Sequence, residues 1–179
     1  VGTVYLSLKQ GHTTAWPDDV ASPDIAVAGL SDYMERHDSE DLVMPRATFP
    51  IPEVATNCTR VGNVFETADR DKVIRRVAPF RFFDGRLVPS LGLAACLAAE
   101  PAPLRFDGDA LLAGSAAIPL DTGGRTILRY RKRDAYAAVS VQAVIQSEQQ
   151  LIEGKPPTLS PDLVRDKYVF FGFTAPGLM

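Results

Sequence analysis

The chain has 179 residues, enough for one domain with a sizeable core and too few for two ordinary domains. Hydrophobic residues make up 46% and charged residues 23%, a balance that excludes a disordered chain. The formal net charge of -3 gives no concentrated basic face for phosphates, so we expect no nucleic acid among the partners.

The first 60 residues predict strands around one helix. Residues 1–8 are rich in β-branched and aromatic side chains and predict a strand. Ser22 is followed by proline, which predicts a helix that begins there and ends near His37. The apolar run 42–45 predicts a short buried strand.

The middle of the chain predicts a hairpin and a helix. Three strands are predicted, at 59–65, 72–83 and 86–89. Asp84 and Gly85 suit a two-residue turn with positive φ, so the last two of these strands form a hairpin. Ser90 then caps a small-residue helix that ends before Pro101.

The last third predicts one more hairpin, one helix and one buried strand. Residues 101–114 predict a loop, and 116–121 and 126–131 predict a hairpin around the glycines between them. Ser140 caps a predicted amphipathic helix. The apolar run 167–173 is typical of a strand covered on both faces.

Together these elements predict an α/β fold. About seven strands and three or four helices indicate a single-domain sandwich over residues 1–179, with a mixed, mainly central β-sheet flanked by helices.

The sequence shows no catalytic or cofactor motif. Glycine-rich phosphate loops are missing from it, and neither His12 nor His37 has ligand spacing, so we expect no cofactor and no metal. Asp69 and Asp71 form the best carboxylate pair, which a small hydrolase could use, but turn positions favour Asp for structural reasons.

The two cysteines, Cys58 and Cys96, are too few for a disulfide scaffold. Two buried thiols are the favoured interpretation, and a single bridge stays open as the alternative.

Arginines in apolar strands raise the question of an anionic partner. Arg75 and Arg76 are adjacent in 72–83, and alternation along a strand predicts that they point to opposite faces. A buried guanidinium needs an anionic ligand or a carboxylate, which Asp69 or Asp71 could supply across the turn. A solvent-facing ion pair at a sheet edge is the simpler alternative. Arg129, in the predicted strand 126–131, would likewise need an anionic partner if it were buried. If a small-molecule site exists, these three arginines are its predicted anion contacts.

No apolar run approaches the ~18 residues of a membrane-spanning helix; the richest, at 91–99, is about half as long. The chain starts at Val1 without an initiator methionine and ends in TAPGLM. We therefore expect the chain to be a piece of a longer protein. The lack of a membrane-spanning run in this piece then says little about whether the longer protein has a membrane anchor.

The segment 61–99 closely resembles the core of the type-two CHASE domain, an extracytoplasmic sensory module of bacterial cyclases and histidine kinases. That family shows a Gly-hydrophobic stretch, D-x-D-G-x-x-R-R-hydrophobic-P and then x-P-S-L-A-L. Here these places are held by Gly62, Asp69, Asp71, Arg75, Arg76, Pro79, Pro89, Ser90 and Leu91. Lys72 stands where the family often has glycine.

Two later segments resemble the same family. IPLDTGGRTILRYR at 118–131 is similar to its I-P-L-D-x-x-G-R-x-x-I-x-Y hairpin, and 166–179 is similar to its closing segment. The resemblance covers 61–179, and residues 1–60 match it poorly.

The resemblance implies a ligand- or partner-sensing input domain on the periplasmic or extracellular side of a bacterial membrane. Its parent would be anchored by membrane helices on both sides, would signal as a homodimer, and would carry a cytoplasmic adenylate or guanylate cyclase, a kinase or a diguanylate cyclase. The alternative from another class is a structural or dimerisation domain that senses nothing.

Overall fold

The computed structural model describes residues 1–23, 25–37, 40–132 and 135–172. The described residues contain four α-helices: α1 (Leu30–Arg36), α2 (Pro52–Ala55), α3 (Leu91–Ala99) and α4 (Val141–Ile152). Short 3-10 turns lie at Glu40–Leu42 and Pro161–Leu163.

Eleven strands lie in the described ranges. The first four are β1 (Gly2–Ser7), β2 (Val27–Ala28), β3 (Arg46–Thr48) and β4 (Val61–Asn63). The middle three are β5 (Arg76–Val77), β6 (Phe80–Phe83) and β7 (Arg86–Pro89), followed by β8 (Leu104–Asp107), β9 (Ala110–Ala113), β10 (Ala116–Pro119) and β11 (Thr126–Ile127).

The strands form mixed and antiparallel sheets. The order β3-β1-β4 pairs β1 antiparallel to β3 and parallel to β4. A second sheet has the order β10-β9-β8-β2, with β2 parallel to β8. Two antiparallel pairs, β6–β7 and β11–β5, complete the described sheets. Mixed sheets with helices confirm the predicted α/β class.

The chain divides into two compact units, Val1–Arg129 and Tyr130–Met179. The first unit holds all eleven described strands and α1 to α3. Its apolar core consists of two clusters, and β6 contributes to both of them, through Phe83 to one and through Phe80 to the other. The prediction of a single sensor domain over 1–179 stays a prediction.

The second unit is built around α4. Ser140 caps this helix by accepting a hydrogen bond from the amide of Ala143 at 3.2 Å. Ser147 is buried, and its hydroxyl oxygen accepts a hydrogen bond from the amide of Leu159 at 2.9 Å, which holds the following segment against the helix.

The structure confirms a turn and a helix cap that the sequence predicts from neighbouring residues. Asp84 and Gly85 have φ of 49° and 72° and join β6 to β7 as predicted. Ser90 caps α3, and its hydroxyl accepts from the amide of Leu93 at 3.3 Å.

Three predicted elements are wrong. The helix predicted from Ser22 begins only at Leu30, because the residues between them supply β2, which pairs with β8. The strand predicted over 72–83 is interrupted before Phe80, and its parts β5 and β6 join different sheets. The loop predicted at 101–114 contains the hairpin β8–β9.

The second predicted hairpin is also wrong, because β10 pairs with β9 and β11 pairs with β5. In the run 167–173, residues 167–172 form no strand, and the aromatic rings of Phe170 and Phe171 are exposed. Phe173 lies outside the described residues.

Both cysteines are free thiols, Cys58 half-buried and Cys96 exposed. The favoured expectation of two buried thiols is therefore wrong, since Cys96 lies on the open side of α3, and the alternative of a bridge is not formed either.

Candidate functional site

A tight turn carries the two carboxylates of the best Asp pair. The amide of Lys72 donates to the carbonyl of Asp69 at 2.8 Å, and the amide of Asp69 donates to the carbonyl of Val73 at 3.0 Å. The side chain of Asp71 accepts from the amide of Val73 at 3.2 Å. The backbone therefore folds back on itself and presents both carboxylates beside the start of β5.

Two arginines meet these carboxylates. Arg75 Nη1 lies 2.8 Å from Asp71 and 3.6 Å from Asp69 Oδ2. Arg76 Nη1 lies 2.9 Å from Asp69 Oδ1. Both guanidinium groups thus contact the same carboxylate, which overturns the expectation that they point to opposite faces. Arg75 precedes β5, so the alternation of a strand does not apply to it.

A second turn completes the arrangement. Asp121 Oδ1 accepts from the amides of Gly123 and Arg125 at 3.0 and 2.9 Å, which fixes this loop. Asp121 Oδ2 lies 3.7 Å from Arg76 Nε and 3.6 Å from Arg125 Nε. The pairing of β5 with β11 brings this loop beside the Asp69 turn, and the amide of Leu128 donates to the carbonyl of Arg75 at 2.7 Å.

The two turns border an open cleft of about 550 Å³. Apart from Ala68, every described residue of its lining is charged: Asp69, Arg70, Asp71, Arg75, Arg76 and Arg125. Arg75 and Arg76 are half-exposed, so water reaches these ion pairs and screens them.

Asp71 and Arg75 each favour the ionised state of the other. The hydrogen bond from Arg75 holds the pKa of Asp71 below its usual range, with the Val73 amide adding to the effect. The same hydrogen bond from Arg75 to Asp71 raises the pKa of Arg75. A carboxylate that resists protonation is a poor general acid, so this geometry does not favour the hydrolase alternative.

Arg75 and Arg76, for which the sequence analysis considered burial, are half-exposed, and the buried guanidinium of this region is that of Arg81 on β6, which the sequence analysis did not single out. Its side chain is 5% exposed, and Nη2 lies 3.2 Å from Glu66 Oε2. Nη1 donates to the carbonyl of Asp41 at 2.9 Å, whereas Nε has no hydrogen-bond partner in the described structure. Burial raises the pKa of Glu66, and the guanidinium of Arg81 opposes that rise.

Sequence reasoning found part of the cleft. Arg75 and Arg76 line it, as does the Asp pair, but Arg70 and Arg125 were missed. Arg129 is exposed two residues after β11 and is not among the residues that line the cleft. The roles of Arg75, Arg76 and Arg129 as ligand contacts stay predictions. The I-P-L-D-x-x-G-R motif is the signal in the sequence for Arg125, and its glycines equally suit the tip of the predicted hairpin.

Neither a metal centre nor a membrane span is found in the ranges that the structure describes. No group of three or more His, Cys, Asp or Glu side chains there is arranged to hold a metal ion. None of the helices in those ranges has the length and apolar character to cross a bilayer.

The fold and the cleft define an α/β domain with a charged surface site. The model of the CHASE2 domain family matches residues 8–179, and the chain belongs to this family of extracytoplasmic sensory domains. The match begins well before residue 61, so it also covers most of the segment where the sequence motifs are weak. Searches of curated proteins and of solved structures gave no significant match.

Proposed function

We propose that this chain is the input domain of a bacterial membrane receptor and lies on the periplasmic or extracellular side. The observation that carries the proposal is the family match over residues 8–179, since the family consists of extracytoplasmic sensory domains. The parent protein holds the domain between membrane helices and carries a cytoplasmic cyclase or kinase.

The physical role of such a domain is to have two arrangements that a stimulus stabilises unequally. The difference in binding free energy between these arrangements is all that a ligand or a partner protein can transmit to the attached helices. A surface cleft beside a turn held by exposed ion pairs supports this role, because exposed ion pairs contribute little stability and rearrange at low cost.

The test compares the full-length protein with a version in which residues 8–179 are replaced by a flexible linker. Both versions are recovered from the membrane fraction, and the cytoplasmic activity is measured across a panel of growth media. We expect the activity of the full-length protein to change with the medium and that of the linker version to stay constant. Equal responses of the two versions would contradict a sensory role.

A structural, dimerisation role is the second candidate, and the surface of α4 favours it. This helix exposes large apolar side chains and has Glu148 as its one charged residue, so two copies can approach without strong repulsion; the exposed residues are Val141, Val144, Ile145, Leu151 and Ile152. Light scattering after size-exclusion chromatography measures the mass of the chain. A monomeric mass at all concentrations would remove this candidate.

A further inference from the structure

Four arginines line the open cleft, and most of their guanidinium hydrogen-bond donors have no protein partner among the residues that the structure describes. In the described ranges, Arg75 and Arg76 donate hydrogen bonds to their carboxylates only through Nη1. Arg125 Nε is 3.6 Å from Asp121, too far for a hydrogen bond. For Arg70 the described structure shows no hydrogen bond or ion pair. Each guanidinium has five N–H donors in a planar fork, so the cleft holds many more donors than its carboxylates accept.

The charge balance of the cleft also favours an anionic ligand. Four arginines, Arg70, Arg75, Arg76 and Arg125, face the carboxylates of Asp69, Asp71 and Asp121. The guanidinium groups outnumber the carboxylates by one, and Arg70 carries this excess, because the described structure shows no ion pair for it whereas Arg125 Nε lies 3.6 Å from Asp121. An oxyanion in the cleft would gain charge-assisted hydrogen bonds, bidentate where geometry allows, of the kind that guanidinium forms with carboxylate and phosphate.

We infer that this cleft binds a small oxyanion with two or more negative charges, as a phosphate group or a di- or tricarboxylate provides. The described lining is charged except for Ala68, so charged and hydrogen-bonding groups orient the ligand, while the aliphatic parts of the arginine side chains supply some apolar surface. The volume of about 550 Å³ suits a small metabolite. This inference gives a ligand class to the proposed sensor and therefore rests on the proposed function for its biological meaning, although binding itself does not.

A substitution at Asp71 distinguishes anion binding in the cleft from a purely structural role of this residue. Its carboxylate is exposed and competes with any anion for Nη1 of Arg75. The Asp71→Asn variant keeps an oxygen that can accept the Val73 amide, yet removes the competing charge. We therefore expect this variant to bind an oxyanion several-fold more tightly. A purely structural role of Asp71 would not produce tighter binding.

The experiment titrates the 179-residue chain with inorganic phosphate, succinate and citrate, each against sodium chloride at equal ionic strength. We expect at least one of the three to raise Tm saturably, by about 3–6 °C at tenfold excess over Kd. Isothermal titration gives Kd, and the comparison of phosphate with the carboxylates identifies the preferred anion.

Variants assign the binding to the cleft. Arg125→Gln and Arg70→Gln are expected to weaken binding by about tenfold or more, because each removes charge-assisted hydrogen bonds. Arg105→Gln is the matched control, since the side chain of Arg105 is exposed and its one ion pair in the described structure is with Asp107, at 4.0 Å. Circular dichroism checks that each variant is folded.

The inference is overturned if no oxyanion raises Tm beyond the sodium chloride control, or if the cleft variants and Arg105→Gln bind equally. Absence of binding would leave the receptor proposal standing with another stimulus. A parent without membrane helices would remove the receptor proposal and leave the titration unchanged, so the two failures are distinguishable.

Discussion

Lys72 occupies a backbone conformation that favours glycine. Its φ is 65°, in the left-handed region, where a Cβ atom costs roughly 1–2 kcal/mol. The carbonyl of Asp69 accepts from the amide of Lys72 at 2.8 Å, while the amide of Asp69 donates to the carbonyl of Val73 at 3.0 Å, so the chain reverses at Lys72 and the left-handed conformation allows this. The glycine that the D-x-D-G-x-x-R-R motif often has at this place thus has a physical reason, and lysine here carries strain.

Replacement of Lys72 by glycine is expected to leave stability unchanged or to raise it by about 0.5–1 kcal/mol. Relief of the strained φ exceeds or balances the greater freedom of glycine in the unfolded chain. Lys72→Val is the matched control and is expected to destabilise, because β-branched residues rarely adopt positive φ. Urea denaturation measures both changes. A loss of stability in Lys72→Gly equal to that in Lys72→Val would contradict the strain argument.

Arg81 is expected to matter more for stability than any arginine of the cleft. Arg81→Met removes the cation and leaves the carboxylate of Glu66, whose side chain is 13% exposed, without its partner. Loss of one member of a buried pair costs about 3–5 kcal/mol. Arg105→Met, at an exposed site, is expected to change stability by less than about 0.5 kcal/mol.

The loss in Arg81→Met should depend on pH. The pKa of Glu66 is already raised by burial, and removal of Arg81 raises it further. The folded variant therefore binds more protons than the unfolded chain above the ordinary Glu pKa, and its stability falls as pH rises through that window. Urea denaturation at pH 5 and pH 7 is expected to show the smaller loss at pH 5. An equal or larger loss at pH 5 would contradict this account of the pair.

At the scale of elements, β4 and α3 approach each other through a glycine. A Cβ atom on Gly62 would lie 2.6 Å from the Cα atom of Leu91 and 3.0 Å from Cβ of Ala94. Leu91 is the first residue of α3, so the clash is with backbone that cannot rotate away. The strand and the helix pack at this distance only because residue 62 has no side chain.

Gly62→Ala is therefore expected to lower stability by about 1–3 kcal/mol, since the strand and helix must separate to relieve the overlap. Gly92→Ala provides the control within α3, because a Cβ there would meet no atom within 4 Å. That variant is expected to gain up to about 1 kcal/mol from helix propensity. Thermal denaturation ranks the two proteins, and a Gly62→Ala variant as stable as Gly92→Ala would rule out the close approach.

The elements that were predictable depend on local geometry. The Asp84–Gly85 turn and the Ser90 and Ser140 caps are decided by residues within a few positions of each other. The pairing of β11 with β5 is decided by packing between distant segments, and no pattern in either segment indicates its partner.

The contacts of the candidate site likewise divide into those that the local sequence predicts and those that depend on distant segments. The contact of Asp69 with Arg76 lies within one motif and was among the sequence expectations. The contribution of Arg125 depends on the β5–β11 pairing, which places its loop beside that motif. Arg81 differs in sequence from Arg75 and Arg76 in no way that reveals its burial, which follows from the position of β6 between two apolar clusters.

At the scale of the whole molecule, the chain is an α/β member of an extracytoplasmic sensory family, and a cleft lined by charged side chains lies on its surface. The structure also offers a natural reporter of location. Cys96 on α3 has an exposed thiol, whereas the other cysteine, Cys58, is half-buried.

The most direct test of the extracytoplasmic placement is the labelling of Cys96 in the full-length protein. Spheroplasts are treated with a membrane-impermeant maleimide after mild reduction, and the label that disappears in the Cys96→Ser variant is assigned to this thiol. An input domain outside the membrane predicts that Cys96 is labelled to the same extent in intact and in lysed spheroplasts. Labelling that appears only after lysis would place the domain in the cytoplasm and contradict the account.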